Sequence, residues 1–215
     1  LGLALLLAPS LAGAQKALVY CPVTLDRVGC DAIASALSGP AYPGGIDLGY
    51  DGTGGTVDLR TADLFGYQVF LVPSLADNPQ VRPYAFLRDP DLAGHLRAAL
   101  LGTLVAWSGM PDQGSASRTQ KDQLIRNLAA WAGSNFAAAN GPGLVALLDL
   151  SDDEGARYDW LRAITPFKVT ADGAPLTYDG VRALTPAATA ALTASGGGQI
   201  AYSGMAAFGF MTETP

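Results

Sequence analysis

Histidine is nearly missing from this chain of 215 residues: there is one, His95. A histidine-rich metal centre is excluded, and a mechanism that needs an imidazole base has a single candidate. Cysteine is almost as scarce. Cys21 and Cys30 are too few for a four-cysteine zinc site, and "CPVTLDRVGC" lacks the C-x-x-C spacing of a redox pair. Charge is low, at 15% of residues, and net negative at −6, with no block of Lys or Arg anywhere. That disfavours a nucleic-acid partner. The 26 glycines and 14 prolines mark many turns without making the chain low in complexity.

What is present begins with "LGLALLLAPSLAGAQ". An apolar run of about eleven residues is followed by a small-x-small pattern at Ala12-Gly13-Ala14. We read residues 1–14 as a signal peptide, truncated at its start and cleaved after Ala14, in preference to a buried N-terminal helix. The run is too short to span a bilayer and is interrupted by Pro9. Export implies a periplasmic, cell-surface or extracellular protein, with no membrane attachment beyond the export signal. In such a compartment Cys21 and Cys30 are expected to form a disulfide, the alternative being two buried free thiols. A bridge over so short a loop contributes about 2–3 kcal/mol.

Residues 15–215 read as one α/β domain, cut at its C-terminus. Short apolar runs at 16–23, 68–75, 103–109 and 142–150 predict strands. A further short strand is expected near "GIDLG" within the Gly-rich 41–59 segment. Helices are predicted over 27–37, 91–101, 117–134 and 151–164. In 117–134, Ser117 and Gln120 have capping-box spacing, and Leu124, Leu128 and Trp131 form the expected buried stripe. Strands at 167–170 and 198–203 and a helix at 185–195 complete the reading; "GFMTETP" is left without an element. Runs such as "LVALL" need apolar cover on both faces. The expected fold is therefore a three-layer α/β/α sandwich, flavodoxin-like, with a mostly parallel sheet of five or six strands.

"GTLVAWSGMPDQG" reads as a central strand that leaves the sheet through a Ser-Gly turn. Together with "TADLFGYQVFLVPSL" and the order of elements from 16 to 203, it resembles the class I glutamine amidotransferase-like superfamily. The resemblance implies a nucleophile elbow of pattern Gly-x-Cys-x-Gly, which falls on Ala106, Trp107, Ser108, Gly109 and Met110. Ser108 stands where the family has Cys, and Met110 where it has the last Gly. The family's base comes from a late His-x-Glu, whereas here no His follows Ser108. His95 precedes the elbow and lies at the edge of the apolar stripe of helix 91–101. It reads as a boundary histidine with one hydrogen-bond partner rather than a base.

Two further segments bear on ligand binding. "DLSDDEG" places Asp149, Asp152 and Asp153 after a strand, where hard oxygen ligands can hold Ca²⁺ or Mg²⁺. The same acids suit the first turn of a helix, and the EF-hand pattern is absent. "YDGTGGTVD" lacks the Lys-Ser/Thr of a phosphate loop and reads as a surface loop. Aromatic residues near loops, Tyr42, Tyr50, Tyr67, Tyr84, Phe86, Tyr158, Trp160 and Tyr178, either contact a glycan or protein partner or plug the ends of the domain. The reading favoured is an exported, non-catalytic recognition or scaffold module with a protein or glycan partner and no cofactor. The alternative is a hydrolase using Ser108, or a metal site at Asp149, Asp152 and Asp153.

Overall fold

The computed structural model describes residues 15–22, 27–50, 56–74, 83–108, 110–115, 117–136, 141–148, 159–165, 168–177 and 207–214. Its strands are β1 (Ala17–Tyr20), β2 (Ile46–Tyr50), β3 (Val57–Asp58), β4 (Val69–Val72), β5 (Leu104–Ser108), β6 (Gly143–Leu148), β7 (Lys168–Thr177) and β8 (Ala207–Thr214). The helices are α1 (Val28–Leu37), α2 (Pro90–Ala99), α3 (Arg118–Ala132) and α4 (Asp159–Ile164). The first six strands form one sheet, all parallel, in the order β3-β2-β1-β4-β6-β5.

The three layers follow from alternation along the strands. Ala17, Val19, Val69, Leu71, Val145 and Leu147 face α1 and α3. Leu18, Tyr20, Phe70, Val72, Leu144 and Ala146 face α2 and α4. β1 and β4 are buried along their whole length, which is why their sequences are unbroken apolar runs. α1 contributes Ile33, Ala36 and Leu37 to one core, and α3 adds Leu124, Ile125, Leu128, Ala129 and Ala132. Across the sheet, Leu92 and Leu96 of α2 meet Trp160, Leu161 and Ile164 of α4. Close packing also explains Gly49 on β2: a Cβ there would lie 2.5 Å from Leu59 Cδ2.

This is the three-layer flavodoxin-like α/β fold expected from the sequence, with one strand placed differently from the expectation. β5 lies on the sheet edge and β6 fills the place between β4 and β5. The strand of "LVAWS" is therefore not central, and β8, from the separate two-stranded sheet, lies near it. The pattern could not have shown this, because an apolar run reads alike in either position.

Several local expectations change with the structure. Ser117 does not cap α3: its φ is +54°, in the left-handed region, and its side chain makes no capping bond. Trp131 is 39% exposed rather than part of the buried stripe. "GFMTETP" belongs largely to β8, which pairs antiparallel with β7. Conversely, α2 has a cap the sequence reading missed: Asp89 accepts from the Leu92 N–H at 3.1 Å, and Pro90 follows in the first turn. The expected elements at 185–195 and 198–203 lie outside the described residues.

Candidate functional site

In an open parallel sheet, ligands bind beyond the carboxyl ends of the strands, where neighbouring strands feed opposite directions. Here that switch point lies between β1 and β4. β1 leads to β2 and β3 on one side; β4 leads to β6 and β5 on the other. Three chain segments reach this place: Cys21 and Pro22 after β1, Pro73 and Ser74 after β4, and residues 110–114 after β5.

The segment after β5 turns sharply. Met110 has φ +49°, a left-handed conformation uncommon for a residue with a Cβ. The Gln113 N–H donates to the Met110 carbonyl at 3.0 Å. The turn delivers Asp112 to the end of β4, past the intervening β6. There the Ser74 N–H donates to Asp112 Oδ2 at 3.0 Å, and the Ser74 hydroxyl donates to Oδ1. The Gln113 side-chain amide donates to Asp112 Oδ2 at 3.1 Å and to the Ser74 carbonyl at 3.0 Å. Both carboxylate oxygens are thus occupied. Asp112 and Ser74 are each 0% exposed.

α3 holds the segment from outside. Arg118 Nη2 donates to the Pro111 carbonyl at 2.8 Å, and Lys121 Nζ donates to the Gln113 carbonyl at 2.8 Å. Arg118 is itself oriented by Asp122, at 2.6 Å from its Nε. On the other side lies Gly29, in the first turn of α1. A Cβ at Gly29 would sit 2.6 Å from Asp112 Oδ2 and 2.9 Å from Gln113 Nε2. Only a glycine leaves room for the carboxylate here.

The electrostatics follow from burial. Desolvation pushes the Asp112 carboxyl up to about 6. Hydrogen bonds from the Ser74 hydroxyl, the backbone of Asp112 itself, the Gln113 amide and the Ser74 amide oppose that rise. Lys121 is shifted below the ordinary lysine range, first by desolvation and then by the Arg118 charge, with Asp112 acting in the opposite sense.

Cys21 and Cys30 stand at disulfide distance, their Cα atoms 5.7 Å apart, as expected from the sequence. The pair joins the end of β1 to the first turn of α1. Ser108 is the last residue of β5, in register with Leu148. His95 lies on α2, on the opposite side of the sheet from α3. Its Nε2 is 3.0 Å from the Ala62 carbonyl oxygen. That bond engages the loop before β4, not the turn after β5. Asp149, Asp152 and Asp153 lie outside the described residues. Among the described residues, no three of His, Cys, Asp and Glu gather as a metal site.

The loop aromatics that are described are mostly inside: Tyr42, Tyr50 and Tyr67 are 7%, 8% and 7% exposed, and Trp160 is 1% exposed. Tyr67 donates its hydroxyl to Asp47 Oδ2 at 2.9 Å. Burial and the neighbouring Asp47 raise the Tyr67 phenol above the ordinary tyrosine range. Tyr42, Tyr67 and Trp160 belong to the two apolar cores, and Phe86 packs partly buried against one of them. Tyr158 and Tyr178 lie outside the described residues.

Ser74, Asp112, Gln113 and Gly29 were not singled out from the sequence. A signal existed for Asp112. It is the first acid after a strand, in a Pro-Asp-x-Gly turn, and the strand-end rule that points to Asp149 applies to it equally. Compared with models of known protein families, with curated proteins and with solved structures, the chain matches none.

Proposed function

We propose that this chain is an exported, non-catalytic module of the amidotransferase-like kind, which serves recognition or scaffolding within a larger cell-surface or secreted protein. The observation that carries the reading is the state of Asp112. At the switch point where such sheets accept ligands stands the protein's own carboxylate, 0% exposed and hydrogen-bonded at both oxygens. An acid or base in catalysis has to reach the group it protonates or deprotonates. Asp112 is instead committed to Ser74 and Gln113. The arrangement resembles the helix-terminus anion sites of ligand-binding α/β proteins, with an internal anion beside the first turn of α1.

Two features of the sequence support the same reading. Ser108 stands where the resemblance places the family's cysteine, and Met110 where it places the last Gly. The export part rests on the small-x-small pattern at Ala12–Ala14 and is consistent with a cysteine pair at disulfide distance. On this reading a protein or glycan partner is met by the outer surface of the domain.

The test compares wild-type protein and Ser108→Ala on a panel of ester and glycan substrates. No turnover by either is expected. Turnover by the wild type that disappears in Ser108→Ala overturns the non-catalytic reading in favour of a serine hydrolase. For export, the mature protein recovered outside the cytoplasm is expected to begin at Gln15. Retention of residues 1–14 in protein recovered there contradicts cleavage after Ala14.

A further inference from the structure

The chain enters β1 through two residues whose carbonyls are both in use. Gly44 donates its N–H to the Gln15 carbonyl at 3.0 Å, and Gln68 donates its N–H to the Lys16 carbonyl at 2.9 Å. These bonds tie the start of β1 to the segments that lead into β2 on one side and β4 on the other. Lys16 Nζ also pairs with Asp47 Oδ2 at 3.2 Å, the atom that accepts from the Tyr67 hydroxyl. The rest of Gln15 is uncommitted. The residue is exposed, and among the described residues nothing hydrogen-bonds its N–H or its side-chain amide.

We propose that Gln15 is a modification site: made the first residue by cleavage after Ala14, it closes on itself to a pyroglutamyl end. The inference rests on the cleavage part of the proposed function, which follows from the small-x-small pattern at Ala12–Ala14. The α-amino nitrogen attacks the side-chain carbonyl carbon Cδ. An N–Cδ bond forms, the Cδ–Nε2 bond breaks, and Nε2 leaves as ammonia with a proton taken from the amine. No oxidant, reductant or second substrate is consumed. The attacking amine has to be neutral, and an α-amino group, with a pKa of about 8, is partly neutral at physiological pH.

The geometry permits this step at no expense to the fold. The new five-membered ring lies within one exposed residue, so closure needs only rotation of a side chain with no bond to break. The Gln15 carbonyl stays outside the ring and keeps the Gly44 N–H. What changes is the terminus, which loses its positive charge and its free amine. Aminopeptidases need that amine. Trimming of Gln15 and Lys16 would remove the acceptors of Gly44 and Gln68 together with the ion pair to Asp47. The lactam therefore blocks trimming at the residue from which β1 would be unpicked.

The test is mass measurement and N-terminal sequencing of the protein recovered outside the cytoplasm, at once and after incubation at neutral pH. The peptide from Gln15 to Arg27 is the one to weigh, because Gln15 is its only side-chain amide. It is expected to be lighter by one ammonia and to give no readable first residue. Pyroglutamyl aminopeptidase is expected to restore a sequence that starts at Lys16. Gln15→Ala protein, prepared the same way, is expected to show full mass and a readable alanine. A wild-type peptide of full mass with a readable Gln15, before and after incubation, overturns the modification site and leaves the cleavage standing. A first residue other than Gln15 overturns both.

Discussion

Asp112 and Ser74 are 38 positions apart in sequence and belong to segments after strands that are not neighbours in the sheet, yet the carboxylate of one takes both the N–H and the hydroxyl of the other. This buried pair stands at the switch point. Its energetics are dominated by what happens when one partner is lost, since a buried donor left unsatisfied costs more than a made bond contributes.

Asp112→Ala strands the Ser74 N–H, the Ser74 hydroxyl and one bond of the Gln113 amide in a site without water access. The expected loss is about 2–4 kcal/mol in urea unfolding. Asp112→Asn keeps an oxygen to accept from Ser74 and is expected to cost less than the alanine change. Equal costs for the two variants would show that the hydrogen bonds contribute little.

The same burial sets a pH dependence. The folded protein raises the Asp112 carboxyl to about 6 from an ordinary 3.8. Between those values the folded state binds more protons than the unfolded state, so stability falls as pH rises through the window. The ionised form carries its full penalty above about 6, and the penalty is relieved below 3.8. The interval corresponds to about 3 kcal/mol as an order of magnitude. Urea unfolding at pH 4.5 and pH 7.5 is expected to show wild type losing stability relative to Asp112→Asn at the higher pH. A difference independent of pH contradicts the raised carboxyl.

Gly29→Ala places a methyl group 2.6 Å from Asp112 Oδ2 and 2.9 Å from Gln113 Nε2. Neither atom is free to swing away, because both are hydrogen-bonded to Ser74 or to each other. The overpacking is expected to cost about 1–3 kcal/mol by thermal or urea unfolding, although alanine is the better helix former. A stabilised Gly29→Ala protein would mean that the first turn of α1 is not pressed on the carboxylate.

On α3 the effects of truncation should separate by burial. Leu128, 2% exposed, is expected to cost about 2–5 kcal/mol as Leu128→Ala. Trp131→Ala, at a residue 39% exposed, is expected to cost less despite the larger side chain removed. Unfolding of the two variants side by side checks this order.

The contrast between Leu128 and Trp131 shows what the sequence carried and what it did not. Helical periodicity located α3 and its stripe correctly through Leu124 and Leu128, because the spacing of apolar side chains is a local property. It failed at Trp131, in the last turn of the helix, where cover depends on which segments lie beyond the sheet. Ser117 failed for a related reason. Residues 111–113 are drawn to Ser74 by Asp112 and clamped by Arg118 and Lys121, so tertiary bonds set how the chain enters α3. The strand order was equally hidden, since β5 and β6 are both apolar runs. The Ser74–Asp112 pair left only the Pro-Asp-x-Gly turn as a trace, because its two halves meet only once the sheet has formed.

The state of Asp112 itself is the point on which the proposed function rests, and a carboxyl-carbon NMR titration of that residue reads it directly. A midpoint near 6, with the Ser74 amide shifting at the same pH, is the result expected of a buried carboxylate hydrogen-bonded to Ser74. A midpoint near the ordinary 3.8, with a Ser74 amide indifferent to it, would contradict the buried carboxylate and leave Asp112 open to solvent and to ligands.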